Sequence, residues 1–201
     1  MVWLLQGSAL LLSDISEMET NVKNKEFTNV ALIGDGYVGK TCVLNCLQKS
    51  NFRNTAPNVY TEMTIEKIVA DKKIQFKIID TAGQEEYDDV RKDVYKKADI
   101  FLLCFCVADK VSYENITSKW MGELYQYKNK PIILLGTKVD LRINSSNTSI
   151  SRDKGIKLQK RIGAKFYIEC SSKSGEGISD VMIAATKILL TNQHKKSCII
   201  L

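Results

Sequence analysis

Gly34 Asp35 Gly36 Tyr37 Val38 Gly39 Lys40 Thr41 follows the apolar, β-branched run Phe27 to Ile33 and leads into a helical pattern. The spacing is G-x-x-x-x-G-K-T in a strand–loop–helix setting, the context in which that motif forms a phosphate-binding loop. Glycines are needed where the backbone wraps an anion with its N–H groups inward, at dihedral angles and distances that a Cβ would obstruct. Gly36, Tyr37, Val38 and Gly39 supply that backbone. Lys40 adds a point charge toward the β and γ phosphates, the next helix contributes its positive end, and Thr41 offers a hydroxyl to magnesium. The alternative is a chance glycine turn, and the motif alone does not separate GTP from ATP or a hydrolase from a kinase.

Outward from this loop, runs rich in Val, Ile and Phe alternate with helical patterns, an order that builds a mostly parallel sheet covered on both faces. The expected strands are Phe27 to Ile33, Tyr60 to Ala70, Lys73 to Ile79, Ile100 to Val107, Pro131 to Gly136 and Lys165 to Cys170, with five helices between and after them. Only Asp71 and Lys72 separate the second and third runs, which is too short for a helical crossover and demands an antiparallel hairpin. The expected fold class is therefore α/β: a three-layer P-loop NTPase fold around a mixed, six-stranded sheet. Ile178, Val181, Met182, Ala185, Ile188 and Leu189 make one apolar helical stripe, and Ile116, Trp120 and Leu124 another, both read as core packing. Arg142 to Ser151 reads as a polar surface loop with nothing to bury.

Three further segments fall at strand ends on the same edge as the phosphate loop. Asp80 Thr81 Ala82 Gly83 Gln84 Glu85 ends the hairpin. There Asp80 can hold magnesium through water, Gly83 can give its N–H to a γ phosphate, and Gln84 can orient an attacking water. Thr137 Lys138 Val139 Asp140 and Cys170 Ser171 Ser172 Lys173 end the last two strands. A carboxylate at Asp140 accepts two bonds from the N1–H and exocyclic amine of guanine, a donor pair that adenine lacks. Lys138 can lay its stem on the ring, and the Ser171 to Lys173 turn can offer an N–H to O6. Alone, T-K-x-D reads as a surface turn; four segments converging on one edge reverse that reading.

Composition narrows the classes further. At 201 residues with 44% hydrophobic and 26% charged side chains, the chain is sized for one folded domain. Its net charge of +6 is spread along the sequence without a basic stripe, so nucleic acid is not an expected partner. The six cysteines form no C-x-x-C pair and suit a reducing compartment, while the single histidine, His194, leaves no material for His-based catalysis. The apolar opening Met1 to Leu12 lacks the basic lead of a secretory signal. No run reaches the roughly 20 apolar residues that cross a bilayer.

The motifs G-D-G-Y-V-G-K-T-C, D-T-A-G-Q-E-E-Y-D-D-V-R, C-F-C-V, S-K-W, G-T-K-V-D-L-R, R-I-G-A and E-C-S-S-K together resemble the signatures of small GTPases of the Ras superfamily, and of the Rho family in particular. The resemblance covers the chain from about Phe27 onward. It implies that Phe52 stacks on the guanine, that Gly36 leaves space for Gln84 and an incoming arginine finger, and that Cys42 is a redox-sensitive cysteine beside the loop. Three departures stand out. Pro57 Asn58 Val59 Tyr60 carries Asn58 where the family has the threonine that completes the magnesium shell, and an Asn carbonyl can still ligate the ion. Phe52 to Pro57 is one residue shorter than usual and lacks the tyrosine that closes over the nucleotide. Arg142 to Arg152 is too short for the extra helix that Rho proteins insert.

The chain ends Cys198 Ile199 Ile200 Leu201, a C-a-a-X pattern whose terminal Leu favours geranylgeranyl on Cys198. Lys195 and Lys196 add a short basic stretch. Residues 1–24 are expected to be a flexible extension, 25–191 the GTPase domain and 192–201 a lipidated tail; whether 1–17 form a functional arm or reflect an upstream start stays open here. The expected function is a membrane-attached monomeric switch that binds Mg2+, hydrolyses GTP to GDP and resides on the cytoplasmic face of membranes with a cytosolic pool; the Rho resemblance implies that it signals to the actin cytoskeleton. With no arginine finger of its own, it should turn over at roughly 10⁻⁴ per second until a partner supplies one. By resemblance the partners are an activating protein, an exchange factor, a dissociation inhibitor and effectors. The alternatives are a GTP- or GDP-binding membrane scaffold with little hydrolysis, motivated by Asn58, and an ATP-using P-loop kinase, which Asp140 disfavours.

Overall fold

The computed structural model describes residues 27–49, 62–69, 72–81, 88–144 and 149–197. Among them, six strands form one sheet: β1 Thr28–Ile33, β2 Glu62–Val69, β3 Lys72–Asp80, β4 Ile100–Cys106, β5 Ile132–Thr137 and β6 Phe166–Glu169. Their order across the sheet is β2-β3-β1-β4-β5-β6, with β2 antiparallel to β3 and every other neighbour parallel. The expected mixed sheet is present. Its hairpin lies one residue earlier than the sequence suggested: Val69 pairs with Lys72, so residues 70 and 71 make the connection. A two-residue link is what a tight antiparallel turn requires, and composition cannot say which two.

Period-two alternation along the strands sorts the core into two layers. Val30, Leu32, Phe76, Ile78, Leu102, Cys104, Ile133 and Leu135 face Val43, Leu44 and Leu47 of α1 (Lys40–Lys49) and Val181, Ala185 and Ile188 of α5 (Ile178–Ser197). Ala31, Ile33, Phe101, Leu103, Phe105 and Leu134 face the other way, onto α2 (Asp88–Lys97), α3 (residues 110–124) and α4 (Arg152–Ile162). β4 is buried along its whole length, as befits a central strand covered on both faces. The helices change face because the chain passes from β3 on one side of β1 to β4 on the other, and right-handed crossovers in opposite directions lie on opposite faces.

Helix α3 is composite. It runs Lys110–Asn115, widens into a π-helical turn at Ile116–Trp120 and tightens again at Met121–Leu124. Asp109 caps its start, accepting from the N–H groups of Val111 and Ser112. The stripe Ile116, Trp120 and Leu124 is buried as expected.

Arg142 to Ser151 corrects the reading of a surface loop with nothing to bury. Residues 139–144 form a 3-10 turn, and Ile150 is only 3% exposed, its N–H donating to Val107 O at 2.7 Å. Arg142 clamps this end of the segment: it donates to Ile150 O through Nε and Nη2, and to both oxygens of Glu169 at 3.0 and 2.6 Å. Ile143 and Ile150 stand seven positions apart in an otherwise polar run, too few to show a periodicity, so the burial of Ile150 was not visible in the sequence.

Candidate functional site

At the carboxyl end of β1 the chain must turn beneath its neighbour β4. Gly34 takes φ 141°, and a Cβ there would sit 2.3 Å from the backbone oxygen of Cys104, so only glycine fits this close approach. The loop then curls around the Lys40 side chain. Lys40 is 7% exposed, and its Nζ donates to Gly34 O at 2.8 Å and to Asp35 O at 2.6 Å. Burial lowers its pKa, and the carboxylates of Asp80 and Asp35 offset part of that effect. The result is a cation held inside a ring of backbone, at the N-terminus of α1.

The end of β3 lies alongside. The Thr81 hydroxyl donates to Leu32 O, and Thr41 Oγ1 donates to Asp80 Oδ2 at 2.5 Å. Asp80 Oδ1 is buried and has no hydrogen-bond partner among the described residues. Burial raises the Asp80 pKa, against the Thr41 hydrogen bond and the charge of Lys40. A buried carboxylate oxygen left over beside a hydroxyl is a hard oxygen donor pair, which fits Mg2+ coordinated by Thr41 and Asp80 or by water held on them.

The segments at the ends of β5 and β6 meet the loop from the other flank. Thr137 Oγ1 lies within hydrogen-bond distance of both Val38 O and Phe105 O, and Lys138 Nζ donates to Tyr37 O at 2.6 Å. Lys138 lies close over Gly39, where a Cβ would meet its Cε at 3.5 Å. Val139 N–H donates to Cys170 O, which ties the ends of β5 and β6. Buried Ser171 donates from its hydroxyl to Asp140 Oδ1 at 2.6 Å and accepts from the N–H of Lys173 and of Ser174, so it orients the carboxylate from behind. Ser172 lies in the same turn, its carbonyl accepting from Cys46 Sγ.

The loops carrying Gly36, Tyr37, Val38, Gly39, Lys40, Thr41, Asp80, Thr137, Lys138, Asp140, Ser171, Ser172 and Lys173 are thus brought to one rim. Cys42 is exposed on the first turn of α1, and among the described residues no atom lies within 4 Å of a Cβ built at Gly36. Phe52, Asn58, Gly83, Gln84 and Cys198 lie outside the described residues.

One part of the site was missed in the sequence. Asp35 turns its carboxylate away from the loop and into α3, where Trp120 Nε1 donates to Oδ1 and Asn115 Nδ2 to Oδ2, both at 2.7 Å. Arg91, 1% exposed on α2, lies with its guanidinium 5.6 Å from the Trp120 ring centroid and also reaches Glu123 at 3.5 Å. Tyr95 of the same helix donates to the other Glu123 oxygen. The available signal was Trp120 itself, since a fully buried indole N–H needs an acceptor.

A family model described as the Ras family matches residues 29–191. The Rho-related protein racC of Entamoeba histolytica is 38% identical over 200 residues, an alignment that covers 93% of this chain and all of that protein.

Proposed function

Because this chain belongs to the Ras family, as a Rho-type small GTPase that hydrolyses GTP to GDP, we propose that it works as a membrane-attached switch whose nucleotide lies along the rim described above. The observation that carries the reading is the joining of three elements at one place: Thr41 to Asp80, and Lys138 to Tyr37. Lys40 and the loop amides hold the β and γ phosphates, Asp140 and Lys138 take the guanine with the Ser171–Lys173 turn at O6, and Phe52 stacks against it. Thr41 and Asp80, joined by Asn58, are the residues to hold Mg2+, which when bound neutralises charge developing between the β and γ phosphates. Gln84 orients water, Gly83 reads the γ phosphate and Gly36 leaves room for both Gln84 and a partner's arginine.

Residues 25–191 act as this GTPase domain, with 1–24 as an extension and 192–201 as a tail prenylated on Cys198. Among the described residues no helix is long and apolar enough to cross a membrane. One prenyl chain with Lys195 and Lys196 supports reversible attachment, which suits cycling between a cytoplasmic membrane face and the cytosol under a dissociation inhibitor. An activating protein, an exchange factor and effectors complete the cycle, with actin as the downstream system and the monomer as the working form.

Single-turnover hydrolysis by the purified full chain, with and without a Rho-type activating protein, tests the switch. Slow phosphate release that accelerates by several decades on adding the partner is expected. GTP bound but not hydrolysed in either case would favour the scaffold reading that Asn58 motivates.

A further inference from the structure

Among the described residues, two that are not glycine hold a left-handed backbone: Tyr37 at φ 61° and Lys138 at φ 58°. They are bonded to each other, Lys138 Nζ to Tyr37 O at 2.6 Å, across 101 residues of sequence. Positive φ is disfavoured for bulky L residues, and such residues gather where a ligand is gripped. Here two of them form the bridge between the phosphate-binding loop and the base-binding segment.

The Tyr37 side chain gains nothing from the fold in return. It is 96% exposed, whereas its neighbour Val38 is 1% exposed and anchored by Thr137 through its carbonyl. An aromatic ring held in a strained backbone and left uncovered by the described residues is placed to cover a bound ligand. Its position says what. With phosphates on the amides that follow Gly34 and guanine on Asp140, two residues beyond Lys138, the ribose and α phosphate must pass over the Tyr37–Lys138 bridge.

We propose that Tyr37 is a retention residue, its ring closing over the ribose and α phosphate of the bound guanosine nucleotide. The proposal rests on the nucleotide reading given above. Ring contact removes apolar nucleotide and side-chain surface from water and blocks the path of release, so it acts on the dissociation rate.

The test is release of a fluorescent GDP analogue from the Mg2+-loaded full chain, chased with excess GDP. Tyr37→Ala removes the ring but keeps the Cβ and its backbone strain, Tyr37→Gly removes both, and Tyr37→Phe keeps ring and strain. If the ring covers the nucleotide, Ala and Gly each release roughly tenfold faster, equivalent to ~1.4 kcal/mol, and Phe restores retention. Unchanged release from Tyr37→Ala overturns the proposal and leaves a macromolecular partner as the ring's contact. A change confined to Tyr37→Gly overturns it too, since strain rather than the ring would be responsible. Wild-type protein that retains no guanosine nucleotide would instead sink the site reading, and this inference with it.

Discussion

Substituting Trp120 tests whether the phosphate-binding loop is held in shape by α3. Trp120→Phe keeps an aromatic ring under the Arg91 guanidinium but removes the N–H that donates to Asp35 Oδ1 at 2.7 Å. A hydrogen bond to a charged acceptor contributes about 1.5–3 kcal/mol. The smaller, weaker ring should add about 0.5–1 kcal/mol through lost cation–π contact and packing. The sum is about 2–4 kcal/mol. Asp35→Asn perturbs the same cluster from the other side, because an amide has one acceptor oxygen for the two donors Trp120 and Asn115 and leaves one of them unsatisfied, at about 1–3 kcal/mol. With Phe at 120 the Asn oxygen can turn wholly to Asn115, so the double variant should lose less than the sum. Equilibrium urea unfolding in chelator without added nucleotide keeps binding out of the balance. A coupling of about 1 kcal/mol or more is expected; additivity within about 0.5 kcal/mol would refute the argument that Asp35 is gripped from both sides.

Asp80→Asn should separate stability from function. Burial raises the Asp80 pKa, so its charge opposes folding near neutral pH; the opposition fades as pH falls through that raised value and is gone below the ordinary carboxylate range, where the group is protonated whether folded or unfolded. Thermal unfolding in chelator should therefore show the variant melting higher than the parent at pH 7, with the gain shrinking toward pH 4, while GDP release loses its response to Mg2+. A lower melting point at pH 7 would contradict the assignment. Glu169→Gln should do the reverse. Burial raises the Glu169 pKa, but hydrogen bonds from Arg142 and Tyr167 and the charges of Arg142 and Arg152 outweigh it and hold the group low. The carboxylate thus stabilises the fold above the ordinary carboxylate range and ceases to as pH falls through its depressed value. With Glu169 7% and Arg142 29% exposed, the loss at pH 7 should be about 2–3 kcal/mol by urea unfolding, discounted for the exposure of the arginine. A loss that does not diminish in acid would point to packing instead of charge.

The phosphate-binding loop, the alternation of strands and helices, the antiparallel hairpin and the buried stripes of α3 and α5 were all legible in the order of residues. Each depends on neighbours within a few positions: backbone amides of consecutive residues cradle an anion, a two-residue gap forces a chain reversal, and apolar side chains at helical spacing share a face. The meeting of the loop at residues 34–41 with the ends of β3, β5 and β6 at one rim was also legible, because strand ends in a parallel sheet share an edge.

Other features arise only when distant parts of the chain are packed together. Asp35 read as an interchangeable position inside the loop motif, yet its carboxylate is committed to Trp120, 85 residues away. Ile150 read as part of a polar loop and is buried under Val107, while Arg142 and Glu169 pair across 27 residues. Tyr37 and Lys138, both left-handed, are joined by a bond across 101 residues that no local pattern encodes. Local sequence specifies which backbone conformations and faces are available. Which buried donor finds which acceptor depends on where the sheet and helices carry each side chain, and only the folded chain decides that.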